Sequence, residues 1–300
     1  MNATVSHSSM EPVDYLRSGA LIVAFVGSAF VAEVTWLQTE IIVSVATGAA
    51  LFLFPNTLLS YQVNGDLDIV NKYMSQLMGL TFLTTAVSLF YLRHCKDKNV
   101  VVSICVSRIV ACIGMLTVML MAKVEQPKLF PQQHLTFGTL GVSLWLLRNL
   151  IQLGRCSTFG GGNAVENDRF TKLQLVDIII VILSFVLNFG FPDYNLSYIT
   201  MNGFKMSPVH VYQLKVMSCL ILGYLILAIS SLNFQSIHDR KAIILGRMAM
   251  IASYLLVFQW YQQSYRMVES RAALVPGAMV LLNSAALVVA YFFLGRDKSD

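Results

Sequence analysis

The sequence predicts an all-α polytopic membrane protein of about nine transmembrane helices. One extra N-terminal helix is followed by two tandem four-helix repeats in the same orientation. Three observations carry this reading: an oily composition, nine apolar runs of spanning length, and polar residues that recur at a fixed offset. Of 300 residues, 56% are hydrophobic and only 12% charged. A soluble domain carries about 45–50% apolar and roughly 25% charged residues. Mean hydropathy is +0.65. The net charge of +5 does not form a continuous basic stripe; the cations cluster beside apolar runs, as membrane-flanking charges do. A nucleic-acid partner is therefore not expected.

Each span needs about 20 mostly apolar residues. Residues 1–17 read as a polar tail carrying Glu11, Asp14 and Arg17, unlike the basic start of a cleaved signal peptide. Residues 18–38 then hold a retained extra helix, joined at Gln38-Thr39 to the next run, 40–58. A single bent helix over 18–55 would leave eight spans, but at 1.5 Å per residue it would be about 57 Å long. Nine is the preferred count. Residues 39–153 form the first repeat, with spans 40–58, 73–92, 100–122 and 134–153. A cytosolic linker with Gly160, Gly161 and Gly162 covers 154–173, the second repeat 174–294, and a cytosolic tail 295–300. The second set of spans is 174–192, 211–233, 242–262 and 272–294.

The repeat rests on residues that apolar chance does not supply. Glu40 aligns with Asp177, Phe54-Pro55 with Phe191-Pro192, and Leu59-Ser60-Tyr61 with Leu196-Ser197-Tyr198, all 137 positions apart. After two extra loop residues, Tyr73 aligns with Tyr212, Met78 with Met217, Arg108 with Arg247 and Gly138 with Gly277. Four spans per copy is an even number, so the copies relate by an axis along the membrane normal. A four-helix unit whose first helix closes on Phe-Pro and whose second carries Gly79 resembles the DoxX-like small membrane proteins. The second copy departs from that pattern with Ser218 in place of Gly79. The resemblance implies two tandem units and partners within membrane redox or receptor-assembly complexes.

Orientation follows from Lys and Arg in the loops. One face (93–98, 154–173, 234–241, 295–300) holds ten and the other six, so the first is expected to be cytosolic. The N-terminus is then lumenal or extracellular, in the secretory pathway. N-x-S/T sequons at Asn2 and Asn195 fall on that outer face, where they are glycosylation candidates.

Charges at membrane depth are functional candidates by default. Arg108 and Arg247 lie about eight and six residues into their spans, and the carboxylates at their level are Glu40, Asp177 and Glu33. Two readings stand. The arginines and acids form intra-repeat locks, or they line a polar cavity between the repeats. No metal or cofactor is expected, because the five histidines sit in loops or at helix ends and no nucleophile motif appears. The five cysteines contain no C-x-x-C pair. Expected is a non-enzymatic membrane scaffold, assembly factor or partner-binding subunit, in contact with membrane lipid and another membrane protein. The alternative is a transporter or lipid-binding protein with a polar cavity between the repeats.

Overall fold

A computed structural model describes residues 33–64, 67–95, 97–156, 168–199, 206–265 and 274–293. Every element among them is a helix. In chain order these are α1 (Glu33–Leu53), α2 (Pro55–Gln62), α3 (Ile69–Leu92), α4 (Lys98–Glu125) and α5 (Gln132–Arg155). They continue as α6 (Asp168–Phe185, running on through a π-helical turn Val186–Gly190), α7 (Pro192–Ile199), α8 (Pro208–Ser231), α9 (Ile237–Tyr265) and α10 (Leu274–Phe293). Six of them, α1, α3, α4, α6, α8 and α9, contain segments long and apolar enough to cross a membrane.

Local chemistry sets the ends. Asp68 caps α3, its Oδ1 accepting from the Val70 and Asn71 amides at 2.9 Å. Asp97 caps α4 through the Asn99 amide at 2.9 Å. Side-chain acceptors at the N-cap satisfy amides that a helix start leaves open. Phe54 (φ −122°, ψ 45°) and Phe191 (φ −131°, ψ 52°) share one backbone conformation, each ahead of a proline that opens a short helix. Proline at the first helical position loses nothing, since that amide has no partner in any case.

Three expected boundaries are corrected. No break separates 38 from 40: α1 runs straight through Gln38 and Thr39. Thr39 Oγ1 donates back to the Thr35 carbonyl at 2.8 Å, so its hydroxyl is satisfied without leaving the helix. The spans expected to run to 58 and 192 stop at Leu53 and Gly190, and the segments after Phe54 and Phe191 are the separate helices α2 and α7, because the prolines start new helices there. α6 begins at Asp168 rather than 174, inside the expected linker; residues 157–167 of that linker lie outside the described residues, as do residues 18–32.

Four long helices form the centre. α4 packs along α8, α9 packs along α3, and α3 touches α8. Around them α1 lies on α3, α5 on α4, α6 on α8 and α10, and α10 on α9. Helices in lipid gain little from hydrophobic burial and rely on close packing at small residues. At the α1–α3 crossing Gly48 and Gly79 meet backbone to backbone: a Cβ on either would lie 2.7 Å from the other's carbonyl oxygen. At α8–α4, a Cβ on Gly223 would lie 3.0 Å from both the Ala111 Cβ and the Ser107 carbonyl. Gly246 of α9 lies directly under Ser88 of α3. Trp36, Leu89, Leu92, Ile104, Phe234 and Ile243 pack one end of the bundle, and Val70, Met74, Leu77, Leu214 and Met217 pack another part of α3 and α8. Large apolar side chains such as Ile42, Ile179, Leu256, Leu281 and Phe292 point outward.

A leucine at Gly48 has no room, whereas Gly141 has no atom within 4 Å of its would-be Cβ. Gly48→Leu is expected to lower the thermal midpoint of the detergent-purified protein, at a cost of at least about 1–3 kcal/mol. Gly141→Leu is expected to leave it unchanged.

Candidate functional site

Among the described residues, two carboxylates in the long helices have no exposed surface, Glu40 on α1 and Asp177 on α6. A bare carboxylate there would cost several kcal/mol, so each must be surrounded by donors. Glu40 Oε1 accepts from Trp145 Nε1 at 2.9 Å and from Arg148 Nη1, both on α5. Arg108 Nε, on α4, is 3.4 Å from Glu40 Oε2. Arg148 Nη2 also donates to the Trp36 carbonyl of α1 at 2.7 Å. Glu40 thus holds α1, α4 and α5 together.

Asp177 solves the same problem with different donors. Its Oδ1 accepts from Arg247 Nε of α9 at 3.0 Å and Asn283 Nδ2 of α10 at 2.9 Å. Its Oδ2 accepts from the Tyr224 hydroxyl of α8 at 2.8 Å. The guanidinium of Arg247 lies over the Tyr224 ring, 5.1 Å from its centroid, and that of Arg108 over Trp145 at 5.2 Å. Aromatic faces favour a cation held there.

Arg108 and Arg247 are each ten residues from the start of their helices, Lys98 and Ile237. The rise of 1.5 Å per residue puts both about 15 Å in, deeper than the sequence counts of eight and six. The difference arises because α4 and α9 begin earlier than the apolar runs they contain.

Between the four central helices lies a cavity of about 40 Å³. Its polar wall includes Thr81, Thr84, Thr85 and Ser88 of α3, Ser107 and Arg108 of α4, Tyr224 of α8 and Arg247 of α9. Most of the hydroxyls are committed. Thr84 donates to Leu80 O at 2.8 Å, Thr85 to Thr81 O at 2.7 Å and Ser107 to Gly223 O at 2.7 Å. Thr81 donates to Leu77 O at 3.0 Å and meets the Tyr254 hydroxyl at 2.5 Å. The arginines keep capacity. Arg108 Nη2 is buried and has no hydrogen-bond partner among the described residues, and Arg247 Nη1 has the weak Met250 thioether at 3.9 Å.

Residues 38–293 match the family described as Domain of unknown function (DUF8292). The chain belongs to the DUF8292 family. No curated protein and no solved structure matches it. The family match spans both buried carboxylate clusters and the cavity of this DUF8292 chain, so it concerns the helices described above.

Of the residues singled out by sequence, Arg108 meets Glu40 and Arg247 meets Asp177, while both arginines line one cavity. Glu33 begins α1, and its side chain lies outside what is described. Asn2 also lies outside the described residues. Asn195, expected in a loop, sits in α7, where its Nδ2, the atom a glycan would take, donates to Asn188 Oδ1 at 2.5 Å. Among the described residues no three His, Cys, Asp or Glu side chains gather in a form that could hold a metal ion. Sequence reasoning missed Arg148, Trp145, Tyr224 and Asn283. For Arg148 a signal was present, since it lies within the span 134–153, five residues from its end, and belongs with the intramembrane charges.

Glu40→Gln leaves Arg108 and Arg148 without their carboxylate. Removing one partner of a buried pair costs about 3–5 kcal/mol. The variant is expected to unfold at markedly lower temperature than wild type, whereas Gln132→Ala, at an exposed position, is expected to match wild type in the same scan.

Proposed function

We propose that this is a non-enzymatic multi-pass membrane protein of the transporter or lipid-binding class, which takes its ligand in the cavity between two tandem four-helix units. The single observation that carries this reading is the cavity itself, lined at once by Arg108 and Arg247. An interface serving only as a lock would leave each arginine consumed by its own carboxylate and the space between them filled.

Several features support the tandem arrangement. A long helix, a short proline-led helix and three more long helices occur in that order in each half. The helices pair crosswise, α3 with α9 and α4 with α8. In each half a buried acid on the first long helix meets an arginine on the third. The loop facing is supported by proximity: Asp97 Oδ2 accepts from the Gln235 amide at 3.2 Å, so two loops of the lysine- and arginine-rich face meet at one end. We assign that end to the cytosol, in a membrane of the secretory pathway.

A second reading, a scaffold or assembly factor binding another membrane protein, draws on the two ion pairs, each closed within its own half. The two separate in one experiment. Thr85→Met extends a side chain into the cavity and leaves both arginines in place. Native mass spectrometry of protein extracted in dodecyl maltoside is expected to find a small molecule or lipid bound to wild type and lost from Thr85→Met at unchanged thermal stability. Equal retention by both would move the weight to the scaffold.

A further inference from the structure

The two buried clusters are not electrically equal. Glu40 is shared by two cations, Arg108 and Arg148, whereas Asp177 has one, Arg247, and completes its shell with the neutral donors Tyr224 and Asn283. Arginine stays protonated under all physiological conditions. Within these two clusters two carboxylates therefore face three guanidinium groups, one positive charge in excess. The position aligned with Arg148 in the second half is Leu287. Between the two clusters, the excess thus belongs to the one around Glu40.

Geometry places that excess on Arg108. Arg148 holds Glu40 Oε1 directly and is also anchored to Trp36 O. Arg108 reaches the carboxylate only at 3.4 Å through Nε and makes no hydrogen bond to it, and its Nη2 is buried without an acceptor among the described residues, as is Nε of Arg148. Arg108 is also the one of the two that lines the cavity. A cation that shares its carboxylate with a second cation in low dielectric is under-compensated, and an anion beside it offsets part of that cost. Guanidinium recognises oxyanions with its planar fork of N–H donors.

We propose that the cavity binds one singly charged oxyanion of phosphate type, recognised by Arg108, and that Arg148 sets its affinity without touching it by occupying Glu40. This rests on the cavity-binding reading above and names the ligand class. The space limits the ligand to one such group: about 40 Å³ holds about three water-sized volumes at roughly 10–15 Å³ each. Free inorganic phosphate and the phosphodiester of a lipid headgroup share this chemistry.

The distinguishing test acts at Arg148, which does not line the cavity. Full-length protein in dodecyl maltoside is titrated with sodium phosphate against sodium chloride at constant ionic strength, with binding read by thermal shift and calorimetry. In a parallel arm, native mass spectrometry measures retention of added phosphatidylglycerol against diacylglycerol, which has no phosphate. Phosphate binding identifies a free anion, and selective phosphatidylglycerol retention identifies a lipid phosphodiester. In either case Arg148→Gln, which returns Glu40 wholly to Arg108, is expected to weaken binding at least tenfold, and Arg108→Gln to abolish it. Arg148→Leu, matching Leu287, serves as a second variant should Arg148→Gln fold poorly. Binding unchanged within twofold in a folded Arg148 variant overturns the charge argument. Retention of diacylglycerol with no response to either phosphate source overturns it too, while leaving the cavity-binding reading intact. No ligand in any arm overturns both.

Discussion

Glu40 is a carboxylate with no access to solvent in a helix made for lipid, and much of the surrounding arrangement answers that constraint. Its two oxygens draw Trp145 and Arg148 from α5 and Arg108 from α4, so residues as far apart as 108 positions are fixed around one charge. Donors that must remain at Glu40 cannot turn elsewhere. Hydrophobic packing in a membrane discriminates weakly between helix registers, because lipid is as apolar as leucine. Buried polar contacts supply the discrimination, as Asp177 does for α6, α8, α9 and α10.

Close backbone approach and polar locking work together here. The Gly48–Gly79 contact draws α1 onto α3, and Gly223 and Gly246 let the two halves cross at short range. At the opposite end from Asp97 and Gln235, His210 joins the halves. Its Nδ1 accepts from the Ser207 amide at 3.0 Å, so Nε2 carries the proton and donates to Asp68 Oδ1 at 2.9 Å. The same Asp68 oxygen caps α3. One carboxylate oxygen therefore sets a helix start and a contact between halves.

Much of this was legible in the sequence. The long helices follow apolar runs, and Arg108, Arg247, Glu40 and Asp177 announce themselves as charges where charges are expensive. What escaped has physical causes. Arg148 lies near a helix end, where an arginine ordinarily snorkels to the headgroups; only the fold brings it onto Glu40, with Asn149 and Gln152 buried beside it. These polar residues also give α5 too little hydropathy to count among the apolar spans. The helices α2 and α7 were hidden because proline and asparagine read as loop, although proline begins a helix well. Tyr224 and Asn283 are neutral and carry no periodic signal, so their role beside Asp177 emerges only from the packing of α8 and α10.

The central proposal is that the Glu40 cluster, with two cations for one carboxylate, leaves Arg108 under-compensated at the cavity. Electron cryo-microscopy of the protein extracted from its native membrane in a phosphate-free detergent, with side chains resolved, tests it most directly. The account predicts non-protein density in the cavity within hydrogen-bonding distance of Arg108 Nη2, with Arg148 still on Glu40. A cavity without such density, and Arg108 Nη2 turned onto a protein acceptor, would contradict it.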